Sequence, residues 1–299
     1  TRMSWKTLDG QPPQVIAHRG ASGLLPEHTL VAYALGLGQG ADVIEPDLVP
    51  TRDGALIARH EPNLARSTDV FDRGDFTHLK REGDWWSTDF TLDDIRRLRA
   101  RQPFEGRSDR HDGHHAVPGW QDVLDWAAQA AMERGQAVSL YPELKHPARF
   151  AALGLDPVDV FAETVRALPA SVEVRVQCFE VDALRGVHEA TQLPCTLLLD
   201  QGADWRAAIA EHGGWLWGLG VDKRLLWNAP GRGSGLVEAA HAAGLRVHPW
   251  TYRDDRVCEG YADVREELRA AFRLGADGAF CDFPATGVEV RNGLRTAFE

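Results

Sequence analysis

The sequence predicts an α/β fold of the (β/α)8 TIM-barrel type, and three observations carry that expectation. Short apolar runs alternate with amphipathic helical stretches over most of the 299 residues, the rhythm of a parallel α/β protein. Strand–helix units of this size, eight in number, fit a closed barrel with functional groups at the C-terminal strand ends. No Gly-x-Gly-x-x-Gly turn follows a strand, so the fingerprint of a doubly wound open sheet is missing.

Strands are predicted over residues 14–18, 42–49, 137–143, 172–178, 194–199, 215–221, 245–250 and 278–281. Helical periodicity covers 28–38, 119–134, 157–168, 180–191, 205–211, 234–243 and 264–274. Glu27 or Thr29 marks the start of the first helix, while Gly244 and Gly275 follow the last two as stop signals. Residues 61–117 break the rhythm. They are polar, rich in Asp, Arg and His, and contain Trp85-Trp86, and they read as a cap-like insertion beyond the second strand of a single domain spanning 1–299. Within it, 91–98 reads as a short helix with Thr91 as N-cap and Asp94 completing an acidic capping box. Residues 102–115 read as a flexible loop, and its His111–His115 tract has the composition of a metal tract in a loop setting.

The formal net charge of −11 argues against a general nucleic-acid binder but leaves room for a small anionic substrate at a local positive site. No run approaches the roughly 18 apolar residues of a membrane span. The N-terminus shows no charged-then-apolar leader. Thr1-Arg2-Met3 reads either as residues ahead of a start at Met3 or as the stub of a processed precursor, so both a cytoplasmic and a periplasmic setting stand open. The four cysteines form no Cys-x-x-Cys pair and read as buried free thiols. No helix advertises an interface, and monomer and homodimer are both compatible with a barrel.

Chemistry enters through two strands that carry acids where a buried strand should carry Val or Ile. In Val43-Ile44-Glu45-Pro46-Asp47-Leu48 alternation places Glu45 and Asp47 on one face, opposite Ile44, Pro46 and Leu48. In Leu140-Tyr141-Pro142-Glu143-Leu144-Lys145 the same alternation groups Tyr141, Glu143 and Lys145. Buried carboxylates are costly unless paired or bound to metal, so Glu45, Asp47 and Glu143 point to one divalent cation. Oxygen-only ligands favour Mg²⁺ or Ca²⁺ over Zn²⁺.

His18-Arg19-Gly20 ends the first strand, and His60 closes the extended run Ala55–His60. Two histidines beside such a metal suit proton transfer at a phosphate, one accepting and one donating. Each alone also reads as a structural histidine, or as a zinc ligand, although no His-x-His or His-x-x-x-His spacing supports zinc. Arg19 offers a planar fork to phosphate. Lys145 could reach the same phosphate or merely neutralise Glu143. Gln177 shares the inward side of its strand with Glu173 and Arg175. Phe179, Trp250 and Phe283 could wall the leaving group, or simply pack.

These residues resemble the glycerophosphodiester phosphodiesterases, most closely the bacterial periplasmic type. The resemblance runs through 15–70, which holds HRG, E-P-D and the second histidine, and resumes at DFTLDDIRRL (89–98), YPELK (141–145), VQCFEVDALR (176–185), VHPWTYR (247–253) and FCDFP (280–284). It implies a (β/α)8 barrel with a small insertion after the second strand. It also implies His18 and His60 as the acid–base pair, Arg19 as the phosphate arginine, Glu45, Asp47 and Glu143 as metal ligands, and Lys145 near substrate. The implied reaction is metal-dependent hydrolysis of glycerophosphodiesters, such as glycerophosphocholine or glycerophosphoethanolamine, to sn-glycerol 3-phosphate and an alcohol. Water or the substrate's own glycerol hydroxyl would attack. Many members carry Asp after the second histidine where this chain has Glu61, which bears on the orientation of His60. The insertion is also shorter, which bears on substrate preference. A lysophospholipase D or sphingomyelinase-D-like enzyme for acylated lipids would need a broad apolar entrance, which the acidic, Arg/Asp/His-rich cap does not suggest. A non-catalytic protein that binds glycerophosphodiesters would have little need of both histidines.

Overall fold

The computed structural model describes residues 4–298, so the reading of residues 1–3 lies outside the described residues. Eight parallel strands close a ring in chain order. They are β1 (Gln14–His18), β2 (Val43–Glu45, resuming as Asp47–Pro50), β3 (Val138–Leu140, resuming as Glu143–Leu144) and β4 (Val172–Val174, resuming as Val176–Cys178). The second half is β5 (Cys195–Leu199), β6 (Gly218–Asp222), β7 (Arg246–Trp250) and β8 (Gly278–Cys281). β1 pairs with both β2 and β8. The seam between β7 and β8 is closed by Asp277 N–H donating to the Val247 carbonyl at 2.9 Å and Tyr252 N–H to the Phe280 carbonyl at 2.8 Å.

Strands expected to be continuous are broken in β2, β3 and β4 at one level. Pro46 and Pro142 have no N–H for the ladder, which explains the first two breaks; Arg175 marks the third. Above the break Asp47 pairs with Glu143, and Glu143 with Gln177, so three polar side chains stand side by side at the mouth. Below it the interior is filled by Ile16, Val43, Tyr141 and Phe280, with Trp217 and Trp250 against them. Tyr141 Oη donates to Thr196 Oγ1 at 2.6 Å and lies 3.0 Å from His248 Nδ1, which satisfies the tyrosine hydroxyl, while Trp250 Nε1 is left without a partner among the described residues. Outward residues such as Val15, Ala17, Ile44, Leu140 and Leu144 join the main core beneath the helices.

Two helices lie where the sequence pattern announces none, Pro147–Ala151 and Pro284–Phe298. The first is too short to show a period, and Gly287 and Gly293 dilute the period of the second. Gly287 is there for close packing, since a Cβ would sit 2.9 Å from Cys281 Sγ. Cys178, Cys195 and Cys281 are buried and Cys258 is half-buried, all as free thiols. Among the described residues no helix is long and apolar enough to cross a membrane.

Beyond β2, Leu56–Ala58 turns back antiparallel on Asp47–Pro50, and the polar stretch begins after it. That stretch is less polar inside than its composition suggests. Leu64, Val70, Phe76, Trp85, Phe90, Ile95, Leu98 and Val117 bury one another against Val49, Ile57 and Phe150. Helix Leu92–Arg96 has the reciprocal cap: Thr91 Oγ1 accepts from Asp94 N–H at 3.2 Å and Asp94 Oδ2 accepts from Thr91 N–H at 3.0 Å. Residues 102–115, expected to be flexible, have fixed partners instead. Gln102 N–H donates to Asp112 Oδ1 at 2.7 Å, and its Nε2 donates to the Ser22 carbonyl at 3.2 Å.

The turn after β1 fixes how the site is presented. Arg19 has φ 61° and Gly20 φ 86°. Left-handed backbone is unfavourable for an arginine, and it is held by Arg19 N–H donating at 3.0 Å to Glu45 Oε2 while the Arg19 carbonyl accepts from His28 N–H at 3.1 Å. A Cβ on Gly20 would lie 2.6 Å from the Ala32 carbonyl carbon. Gly20→Ala is therefore expected to cost about 2 kcal/mol or more of stability, from the left-handed backbone plus the clash. A urea midpoint equal to that of the parent protein would refute this constraint.

Candidate active site

A cavity of about 140 Å³ opens at the C-terminal ends of the strands. Its walls include His18, Arg19, Glu45, His60, Glu143, Lys145, Gln177, Phe179 and Trp250. Asp47 lies directly behind, beside Glu45 and Glu143. One carboxylate oxygen from each of the three falls within 4.8 Å of the others.

Burial of this cluster is nearly complete, and its electrostatics follow. Glu45 is pushed well above the usual carboxylate range by burial and by the negative charges of Asp47 and Glu143. Glu143 is pushed up to about 8 by burial, against the opposing pull of Lys145 and with Asp47 adding to the rise. Asp47 goes the other way: burial opposes ionisation, but Lys145 and His28 outweigh it and hold its pKa well below the ordinary value. His28 Nε2 lies 2.8 Å from Asp47 Oδ2, with its own Nδ1 2.8 Å from Tyr33 Oη.

Two buried oxygens of the cluster, Asp47 Oδ1 and Gln177 Oε1, have no hydrogen-bond partner among the described residues. Gln177 is turned so that Nε2 donates to Glu45 Oε1 at 3.1 Å and to the Tyr141 carbonyl at 3.1 Å. Orphaned buried acceptors beside carboxylates that repel one another need a positive partner. An all-oxygen set of this kind fits a hard divalent cation. Lys145 Nζ stands 3.0 Å from Glu143 Oε1 and lines the cavity, so neutralising Glu143 and reaching a substrate are both open to it.

His18 Nδ1 faces Asp282 Oδ1 at 2.6 Å. Burial lowers the histidine to about 4, with Asp282 opposing and Arg19 adding to the fall. Asp282 is held far below the usual range because His18, Arg253 and Arg107 outweigh its burial. A neutral imidazole beside an ionised carboxylate keeps its proton on Nδ1, which leaves the Nε2 lone pair free to accept a proton. His60 Nδ1 lies 3.2 Å from Glu61 Oε1, and Arg66 Nη1 donates to that same oxygen at 3.2 Å. Glu61 thus holds the ring of His60, the effect for which its extra methylene was in question.

Several supporting residues escaped the sequence reading. Glu27 accepts from Arg19 Nη1 at 2.7 Å and so aims the guanidinium. Arg59 is fully buried and donates to the carbonyls of Glu27 and His28 at 2.7 and 2.9 Å. Asp282 collects His18, Arg253 Nε at 2.8 Å and Arg107 Nη2 at 2.8 Å. Arg107 comes from the insertion, with its side chain only 2% exposed, and also clasps Asp255 at 2.8 and 3.1 Å. An acid directly after a strand, as Asp282 follows β8, was the available signal; nothing local marks Arg107. Phe283 is a correction. It does not line the cavity but lies under Arg107, 5.3 Å from its guanidinium carbon, where burial of that cation needs a flat apolar support. Phe179 and Trp250 do line the cavity, edge to face at 6.0 Å. The described residues put no metal-type cluster at the histidine-rich tract of 111–115, whose His111 and His115 rings stack on each other.

Comparison with known proteins places the whole chain. The chain is 29% identical to a glycerophosphodiester phosphodiesterase of Haemophilus influenzae, over 94% of this chain and 90% of that one. It is 28% identical to a glycerophosphodiester phosphodiesterase of Bacillus subtilis, over 93% and 86%. Its fold matches the structure of an Oleispira antarctica phosphodiesterase in complex with the product sn-glycerol-3-phosphate, with a TM-score of 0.70 and 19% identity over 96% and 99% of the two chains. Because residues 18–286 match the family as a whole, the chain belongs to the glycerophosphoryl diester phosphodiesterase family.

Proposed function

We propose that the protein hydrolyses glycerophosphodiesters to sn-glycerol 3-phosphate and an alcohol by proton transfer between His18 and His60. As a family member it is a phosphodiesterase of glycerophosphodiesters. One observation supports the histidine roles above others: a neutral His18, tautomer fixed by Asp282, faces the same cavity as His60 and Arg19.

In this reading Nε2 of His18 takes the proton from the attacking hydroxyl, whether that of water or of the substrate's glycerol. His60 gives a proton to the oxygen of the departing alcohol as its bond to phosphorus breaks. Asp282 stabilises the imidazolium that forms on His18. Arg19, aimed by Glu27, binds the phosphoryl oxygens through its fork, and Lys145 adds positive charge beside them. Glu45, Asp47 and Glu143, with the carboxamide oxygen of Gln177 in reach, would hold one Mg²⁺ or Ca²⁺. That cation, when bound, would polarise the phosphate as a Lewis acid. Phe179 and Trp250 offer apolar contact to the substituents of the phosphate.

His18→Ala or His60→Ala is expected to lower kcat by about 10² to 10⁴ with folding intact; turnover of glycerophosphocholine at the parent rate in either variant would remove that histidine from the mechanism. Asp282→Asn should keep the shape and lose the charge, lowering kcat by about 10²-fold or more with KM little changed. A change confined to KM would assign Asp282 to substrate binding instead.

The cation has its own readout. Metal-free Glu143 keeps a proton up to about pH 8, whereas an unfolded glutamate loses it near 4.5. The folded state therefore binds more protons, and stability should fall as pH rises through that window. His18, lowered from 6.5 to about 4, works in the opposite direction at lower pH, so the fall is clearest between about 6.5 and 8. Adding Mg²⁺ or Ca²⁺ at pH 7 should release protons, from Glu143 and from Glu45, whose pKa is raised as well, and should raise the melting temperature. Calorimetry in buffers of different ionisation enthalpy checks this, and binding without proton release would mean that the cluster is already ionised.

A further inference from the structure

The catalytic cavity has a neighbour. A second cavity, of about 350 Å³, shares Trp250, Thr251 and Arg253 with it and extends past the end of β6 to the segment after β7. In a chain of net charge −11 its lining is basic: Lys223, Arg224, Arg253 and Arg256 stand against a single carboxylate, Asp222.

The supply of hydrogen-bond donors and acceptors is lopsided. Asp222 is already taken, since Oδ1 accepts from Arg224 N–H and Nε, both at 2.9 Å, and Oδ2 accepts from Arg224 Nη2 at 2.6 Å. Lys223 uses one ammonium hydrogen on Glu267 at 2.7 Å, and Arg253 uses Nε on Asp282. An ammonium has three donors and a guanidinium five, so both keep donors in hand. Arg256 is exposed and has no carboxylate partner among the described residues. The cavity thus offers surplus charged donors and no free carboxylate, with the Thr251 hydroxyl as its one neutral side-chain acceptor, so four cations outweigh the Trp250 ring and favour an acceptor-rich anion over a cation such as choline.

Of the two groups esterified to a phosphate in the first cavity, glycerol carries no charge; only the alcohol varies. We infer that the second cavity is a subsite for a negatively charged alcohol moiety, so that the preferred substrates are glycerophosphodiesters whose leaving group bears a further phosphate. This rests on the proposed reaction and narrows its substrate class.

The test compares kcat/KM for glycerophosphoinositol 4-phosphate, glycerophosphoinositol and glycerophosphocholine, the first two differing by one phosphate. The doubly phosphorylated compound should be favoured over glycerophosphoinositol by about tenfold or more, and the ratio should shrink at high salt. Arg256→Ala, which removes a side chain with no structural bond, should bring the ratio down by several-fold without changing the melting temperature. Equal kcat/KM for all three compounds overturns the subsite and leaves the proposed reaction standing. A ratio that survives both Arg256→Ala and Arg224→Gln places the extra phosphate elsewhere and also overturns it. No hydrolysis of any of the three overturns the reaction, and the subsite with it.

Discussion

Three carboxylates buried at the mouth of one barrel are the constraint from which the rest of this molecule follows. Glu45, Asp47 and Glu143 stand on neighbouring strands at adjacent pairing positions, so their repulsion cannot be relieved by turning away. The chain answers with Lys145 on Glu143, His28 on Asp47 and the Arg19 amide on Glu45. That answer is incomplete, because Asp47 Oδ1 and Gln177 Oε1 are left without partners among the described residues. Two orphaned acceptors among carboxylates that repel one another invite positive charge, although Arg19 Nε, 3.5 Å from Asp47 Oδ2, is a buried donor that also lacks a hydrogen-bond partner among the described residues. With the proposed cation bound, stability given up by the metal-free fold would become affinity for it.

A second knot of charge ties the insertion to the chemistry. Asp282 carries one negative charge and is approached by His18 from β1, Arg253 from the segment after β7 and Arg107 from the insertion. Segments far apart in sequence thus meet on one carboxylate. Arg107 is buried by stacking on Phe104 at 4.2 Å and on Phe283, and it is also anchored to Asp255. Residues 61–117 thus reach the site through Arg107, although none of them lines the cavity itself. Arg107 places a positive charge on the same carboxylate that His18 contacts.

Backbone geometry is arranged to serve the same end. Proline breaks in β2 and β3 come just before Asp47 and Glu143, so each acid begins a fresh strand segment at the rim. The left-handed turn at Arg19 and Gly20 carries the guanidinium back over the cluster, where Glu27 holds it. Beneath, the rings of Tyr141, Trp217, His248 and Phe280 pack against one another and fill the barrel, with the Tyr141 hydroxyl bonded to Thr196 and beside His248 Nδ1. This rigid floor limits the site to the upper rim, as in barrels generally.

Local rules made much of this legible in the sequence. Period-two alternation put Glu45, Asp47 and Glu143 on inward faces, eight apolar runs gave the barrel, and Thr91 and Asp94 announced their capping box, because each depends on residues a few positions apart. The polarity of 61–117 misled: its apolar residues are spaced by neither helical nor strand period, and only folding gathers them into a core against Phe150. The partners of Asp282, the aim of Arg19 and the basic cavity beside the active site belong to tertiary structure alone. Arg107 and Asp282 are 175 residues apart, and no pattern of sequence spacing encodes a contact that arises only once the ring has closed.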